Sequence, residues 1–191
     1  MEGLLSLCLI VKNEEKVLAR ALDGVRAYAD EIIIADTGST DGTKKIASEY
    51  TDKIYDFEWK DDFAAARNFA FSKATCEYIM WMDADDIVTP ENGVLLGKLR
   101  KRLETEKPDV VMCRYDVAFD TEGRATYSYI RERILRRENC PPWVGCVHEC
   151  IAPQGKIIFS HFTMRHGEVP GKVRGRRNLD IYQKNIAAGV R

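Results

Sequence analysis

The sequence predicts an α/β fold: a mostly parallel central sheet flanked by helices, with a mixed β region following it and a helix at the C-terminus. Three observations carry that expectation. Residues 4–11, 31–35 and 76–82 are short, almost unbroken apolar runs, the pattern of parallel strands buried on both faces. Between the first two, Val17, Leu18, Ala21, Leu22 and Val25 recur at helical spacing. Strand, helix and strand thus alternate within about forty residues, as in a right-handed βαβ unit. Near Pro108 this rhythm gives way to closely spaced strands with glycine-containing turns.

The elements follow in order. A strand over 4–11 ends at Lys12-Asn13-Glu14-Glu15, and a helix is predicted over 14–28. The strand at 31–35 runs into Asp36-Thr37-Gly38-Ser39-Thr40-Asp41-Gly42-Thr43, whose glycines permit a tight turn. Ser39 or Thr40 can cap a helix reaching Tyr50. Asp36, at a strand tip, is placed either to bond a ribose hydroxyl or simply to build a βα turn. Residues 53–59 read as a third strand, and 61–70 begin an alanine-rich helix. Arg67 lies among small and aromatic residues there, so it needs a partner, a phosphate or a nearby acid such as Asp61 or Asp62. After the strand at 76–82, Thr89-Pro90-Glu91 reads as a helix start. Val94, Leu95, Leu99 and Leu103 mark its apolar face up to Lys107-Pro108. Beyond it come strands at 110–117, 126–130 and 131–137, a loop at 140–143, a strand pair within 151–162 around Gly155, and a basic amphipathic helix over 174–188.

The chemistry concentrates where Tyr78-Ile79-Met80-Trp81-Met82 meets Asp83-Ala84-Asp85-Asp86. Open α/β sheets bind ligands beyond the carboxyl ends of their strands. Three adjacent carboxylates repel one another unless a cation or a hydrogen-bond network offsets them. Mg²⁺ binds through one or two carboxylates and completes its shell with substrate phosphates. The cluster reads as a metal–phosphate site or as an acidic turn before the next helix. No glycine-rich dinucleotide fingerprint and no Walker A loop is present.

With 191 residues, 45% hydrophobic and 31% charged, the chain suits a single domain with a sizeable core. Its net charge of −1 does not suggest a nucleic-acid partner. No apolar run approaches a membrane span, and Met1-Glu2-Gly3-Leu4 lacks the basic region of a signal peptide. The expected location is the cytoplasm, with the six cysteines reduced.

Four segments, in this order and spacing, resemble the family 2 glycosyltransferases of GT-A fold: Ile10-Val11-Lys12-Asn13-Glu14-Glu15, Asp36 to Thr43, Arg67-Asn68 and Asp83-Ala84-Asp85. The chain is most similar to bacterial members related to lipopolysaccharide-core glucosyltransferases and peptide S-glycosyltransferases. Some relatives carry tetratricopeptide repeats after such a region, and none follows here, so the expectation is a piece of a longer protein. The resemblance implies a metal-dependent, inverting transferase. Residues 1–107 would bind a nucleotide-sugar, UDP-linked, and 108–191 would face the acceptor: a glycan, a lipid-linked sugar or a protein. It implies that Ile10, Val11, Lys12, Asn13 and Glu14 hold base and ribose, and that Asp36 faces the nucleoside. Thr37 stands where many members have a second aspartate. Arg67 would face the diphosphate. In the DxD motif Asp85 would bind Mg²⁺ or Mn²⁺, and Asp83, beside Ala84, would reach the ribose, the metal or the sugar.

Trp143-Val144-Gly145-Cys146-Val147-His148-Glu149 is similar to a segment of related transferases, and makes Glu149 the candidate general base. His148 would orient Glu149, contact the acceptor or take the proton itself. His166 is the expected third metal ligand, with His161 as its rival. Asp116 and Glu168 stand in reserve as bases. Cys140, Cys146, His148 and Cys150 raise structural zinc as an alternative, without zinc-ribbon spacing. The run Lys172-Val173-Arg174-Gly175-Arg176-Arg177 reads as a solvated helix start, a contact with the donor's phosphates, or a peripheral contact with the inner face of a membrane. Two other classes share these residue types: a nucleotidyltransferase and a catalytically inactive nucleotide-sugar-binding module.

Overall fold

The structure is a computed structural model that describes residues 3–169, 171, 175–187 and 189. Leu5–Val11 (β1), Glu31–Asp36 (β2), Ile54–Asp56 (β3) and Tyr78–Trp81 (β4) form a parallel half-sheet in the order β3-β2-β1-β4. Alternation along these strands feeds two layers. Leu5, Leu7, Leu9 and Val11 join Ile32, Ile34, Tyr78 and Met80 in the larger core, while Cys8, Ile33, Ala35 and Ile79 face the opposite side. The larger core is closed by the helices Leu18–Asp23 (α1) and Pro90–Glu106 (α4), and the other side by Phe63–Ser72 (α3). A short helix, Thr43–Ala47 (α2), connects β2 to β3.

Helix α4 begins as its sequence dictates. Thr89 accepts from the Asn92 N–H, Pro90 takes the first turn, and the helix stops at Lys107 in the left-handed region (φ 45°), just before Pro108. Its buried face is Gly93, Leu96, Leu99 and Leu103, whereas Val94 is exposed. Gly93 allows Tyr28 to close in, since a Cβ there would lie 2.9 Å from the ring. The helices predicted at 14–28 and up to Tyr50 are shorter. The first is α1 followed by a 3-10 turn at Arg26–Tyr28, and the second is α2. Asp41, rather than Ser39 or Thr40, accepts from the Thr43 N–H at the start of α2.

The second half is antiparallel against the first. Val110–Phe119 (β6) and Ala125–Arg136 (β7) form one long hairpin, so the separate strands expected at 126–130 and 131–137 are continuous. Strand β7 then pairs with β4 and joins the halves into an eight-stranded sheet. The strand pair expected within 151–162 is one strand, Ile157–His166 (β8), parallel to β6. Pro153 offers no N–H, and Gly155 (φ 78°) turns the chain tightly against Asp109, leaving 151–156 no ladder to join. A two-residue strand, Asp86–Ile87 (β5), pairs Asp86 with His166 across to β8. The last described helix is Arg177–Ala187 (α5); Lys172, Val173 and Arg174 of the basic run lie outside the described residues. Among the described residues no helix is long and apolar enough to cross a membrane.

The amino ends of the parallel strands are tied by one buried carboxylate. Glu31 accepts from Ser6 on β1, from Lys53 before β3, and from the Thr75 and Cys76 N–H groups before β4. Burial alone would raise its pKa, but the bonds from Lys53, Ser6 and Thr75 outweigh it and lower it from 4.5 to about 2. A carboxylate depressed on folding stabilises in full above its unfolded pKa, and the contribution fades as pH falls through the folded one. Glu31→Gln is therefore expected to cost on the order of 2 kcal/mol at neutral pH. It should also flatten the loss of stability between pH 4.5 and about 2. Urea titrations of both proteins across that range check this; parallel curves would assign the acid sensitivity elsewhere.

Candidate active site

A cavity of about 870 Å³ opens at the carboxyl ends of β1, β2 and β4. It brings together most of the residues singled out in the sequence. Ile10 to Glu14 line it from the tip of β1, Thr37 from the end of β2, and Asp83, Ala84 and Asp85 from beyond β4. Arg67, His148, Glu149 and His166 complete the set.

The first two motifs interlock. Asn13, in the left-handed region (φ 56°), donates its N–H to Ser39 Oγ (3.0 Å) and accepts from the Thr40 N–H (2.8 Å). The Glu14 N–H donates to Thr43 Oγ1 (2.7 Å), and Glu15 accepts from the Gly42 N–H (2.7 Å). Each loop thereby fixes the other, and Thr37 adds a hydroxyl bond to the Val11 carbonyl (3.0 Å). Asp36 departs from expectation. It is fully buried and absent from the cavity wall, because its Oδ1 turns back to accept from the Gly38 and Ser39 N–H groups (2.9 and 2.8 Å). Its Oδ1 thus serves the turn, while its Oδ2 has no hydrogen-bond partner among the described residues.

Arg67 is held from four sides. Asp62 caps α3 by accepting from the Ala65 N–H, and the alanine-rich first turn of the helix carries Arg67 into the wall, only 6% exposed. Its guanidinium packs against the indoles of Trp81 (4.6 Å) and Trp143 (5.0 Å), which meet each other edge to face. Nη2 donates to Asp83 Oδ1 (2.8 Å) and Nε to Glu149 Oε1 (2.6 Å). Asn68 secures Trp143 by bonding both its N–H and its carbonyl. The acid partners are thus Asp83 and Glu149, since Asp61 pairs with Lys184 and Asp62 serves as the cap. Burial works against the Arg67 charge, yet Asp83 and Glu149 raise its pKa. Asp83 is lowered in turn, burial being outweighed by Arg67, Arg133 and Arg131.

Asp85, Asp86 and His166 bring ligating atoms within 4.8 Å of one another, the one such group among the described residues. Two carboxylates and an imidazole suit a hard or borderline divalent ion. Asp85 Oδ1 lies 3.7 Å from His166 Nδ1. Asp86 is fully buried. Its Oδ2 accepts from the Asp83 N–H (2.9 Å) and Arg133 Nη1 (3.2 Å), and its Oδ1 from the Tyr115 hydroxyl (2.6 Å). Burial pushes its carboxyl up to about 6 against the pull of Arg133. Asp83 thus pairs with Arg67, while Asp85 and Asp86 are the carboxylates near His166.

The segment 144–150 is a closed loop, with Val144 and Cys150 exchanging backbone bonds. The Phe63 N–H donates to the Cys146 carbonyl (2.9 Å), seating this loop on the start of α3. His148 is exposed in a left-handed conformation (φ 53°), its ring 6.1 Å from that of Tyr182 on α5. The cysteines of the suggested zinc cluster are free and do not converge with His148. His161, Asp116 and Glu168 are absent from the cavity wall, and Asp116 pairs with Arg114. Sequence reasoning missed Trp59, Phe63, Tyr129 and Arg131, which also line the cavity. Tyr129 and Arg131 belong to a run of four consecutive β7 residues, 129–132, that lines the cavity, so strand alternation does not single them out.

The family model for Glycosyl transferase family 2 matches residues 6–161. The chain belongs to that family. It is 37% identical over 143 residues to the SPbeta prophage-derived glycosyltransferase SunS of Bacillus subtilis, covering 74% of this chain and 33% of SunS. It is 47% identical over 81 residues to a TPR repeat-containing protein of Synechococcus elongatus, covering 42% of this chain and 20% of that one. The chain thus spans a third or less of these relatives. Among solved structures, S. aureus TarS superposes with a TM-score of 0.51 at 22% identity, covering 66% of this chain and 23% of TarS. That likeness speaks for the shared GT-A fold.

Removing the Arg67 guanidinium would leave two carboxylates facing each other beside two indoles. Breaking a buried pair by deleting one partner costs about 3–5 kcal/mol. Arg67→Ala is expected near the lower end, about 3 kcal/mol, because the Asp83 side chain is 38% exposed and can hydrate. Chemical denaturation reads this directly. A variant as stable as the parent would show that the pairing carries little of the fold.

Proposed function

We propose that the chain transfers a sugar from a UDP-linked donor to an acceptor hydroxyl, amine or thiol, with inversion and with help from Mg²⁺ or Mn²⁺. The observation that carries this reading is one cavity that joins the interlocked β1 tip, the Asp83-Ala84-Asp85 turn and His166 in a family 2 chain. TarS, which shares the fold, has been crystallised with UDP and with UDP-GlcNAc, and this supports a nucleotide-sugar donor here.

The residues fit the metal. Asp85 and His166 would hold it, with Asp83 and Asp86 beside them. Bound there, it would neutralise charge developing on the leaving diphosphate. The chain's own groups do the rest. Ile10 to Glu14 and Thr37 form the wall for base and ribose, held rigid by the Asp41–Thr43 turn. Arg67 adds a fixed positive charge beside Asp83 and holds the Glu149 carboxylate in one orientation. Glu149, on the wall away from β1, would take the acceptor's proton, with exposed His148 next to it to receive the acceptor or the proton. Residues 108–191 supply that side, so the nucleotide half and the acceptor half of the reading meet at Arg67.

Two measurements test the reading. Asp85→Asn keeps shape and removes charge, so calorimetric binding of UDP should lose its dependence on Mn²⁺; an unchanged metal dependence would remove Asp85 from the ligands. Glu149→Gln should bind UDP-sugar and Mn²⁺ nearly as the parent does, while turnover falls at least about a hundredfold, the usual size of a general-base contribution. Turnover at the parent rate would pass the role of base to His148.

A further inference from the structure

We propose that Tyr115 is a positioning residue that fixes His166 with its proton on Nδ1, leaving Nε2 as the nitrogen that can bind a divalent cation. This rests on the reading that Asp85 and His166 hold the metal. Tyr115 sits on β6, 6% exposed, with its hydroxyl between Asp86 Oδ1 (2.6 Å) and His166 Nδ1 (3.1 Å). A phenol has one proton to donate. The carboxylate is the nearer and stronger acceptor, and Arg133 Nη1 at 3.2 Å supplies its countercharge. With the proton committed to Asp86, the phenol oxygen can only accept, and its donor is Nδ1–H of His166. The Asp85 carboxylate, at 3.7 Å from the same nitrogen, is beyond hydrogen-bond range and does not compete.

The surroundings suit a positioning role. Strand pairing sets Asp86 opposite His166 and Tyr115 opposite Met164, two residues before it. The Tyr115 ring is boxed in by Tyr129 (5.6 Å), His166 (6.2 Å) and the Arg133 guanidinium (4.3 Å). Metal-binding histidines characteristically give their second N–H to such an outer partner, which sets tautomer and ring orientation. The same Asp86 also bonds the Asp83 N–H, so one buried carboxylate steadies both the acidic turn and the histidine.

The test uses the full chain, labelled with ¹⁵N-histidine, and Tyr115→Phe, which keeps the ring and removes only the hydroxyl. The chain has three histidines, and His166→Ala assigns the signal. In metal-free parent protein with neutral imidazoles, His166 should show the Nδ1–H tautomer, and in Tyr115→Phe it should shift toward Nε2–H. Mn²⁺ affinity, measured by calorimetry without substrate, should fall about 10- to 100-fold in Tyr115→Phe. An Nε2–H tautomer in the parent overturns the proposal with no variant needed. So does a Tyr115→Phe protein with parental tautomer and parental Mn²⁺ affinity. If Mn²⁺ affinity depends on His166 but not on Tyr115, this inference alone falls. If the parent's Mn²⁺ affinity is indifferent to His166→Ala, the metal-site reading falls with it.

Discussion

The site depends on one guanidinium. Arg67 is nearly buried against Trp81 and Trp143 and pairs at once with Asp83, just past β4, and with Glu149, in the loop before β8. An unpaired charge in that position would be costly, so folding of the first half creates a demand that only the second half completes. Glu149 is separated from Arg67 by 82 positions, and Asn68 fastens Trp143 at a separation of 75. The adjacent Arg67-Asn68 pair thus ties α3 to two separate points of the second half. One residue sets the acid positions, and its neighbour fastens Trp143, one of the two indoles against which the charge packs.

The two ends of the parallel half-sheet are stabilised differently. At the amino ends a single carboxylate, Glu31, gathers donors from three neighbouring segments and is deeply committed to them. At the carboxyl ends the bonds run loop to loop, through Asn13, Glu15, Asp41 and Thr43, and leave a wall open to the cavity. Many small bonds between loops hold a shape while keeping the polar backbone near solvent, where a ligand can meet it. This also explains why the β2 turn is rich in Thr, Ser, Asp and Gly. Those residues bond one another and the neighbouring loop, and one oxygen of Asp36 is used the same way.

Much of this was legible in the sequence. Unbroken apolar runs gave the parallel strands, and the cap Thr89-Pro90 placed α4 to the residue. The motif residues reach one cavity because strands β1, β2 and β4 end on the same side, which the βαβ pattern requires. What was not legible depends on register and on long-range partners. Asp36 carries the right charge at the right strand tip, but whether it points out or back into its own turn is a torsional choice. The partners of Arg67 could be narrowed to an acid or a phosphate, not to Glu149. Strand β5 is two residues long and has no periodicity to detect; it exists because β8 passes beside Asp86. Tyr115 looks like any strand aromatic until the β6–β8 pairing brings it to His166.

The acidic cluster shows why the halves form one electrostatic unit. Asp83, Asp85 and Asp86 stand within four residues, and their mutual repulsion must be offset. Arg67 of α3 takes Asp83, while Arg133 of β7 takes Asp86 in a fully buried pair. Arg133 lies 3.9 Å from the Trp81 ring centre, with Arg67 at 4.6 Å and Arg131 at 4.9 Å, so three cations surround one indole at the end of β4. The indole's own N–H is spent on the Glu132 carbonyl, which fixes the ring's orientation among them. Asp85 is the member of the cluster that faces His166. The arginines thus sort three chemically identical carboxylates into different tasks: one oriented beside the cavity, one turned toward the histidine, and one buried as the peg on which the turn and the strand hang. Environment, not residue type, makes that assignment.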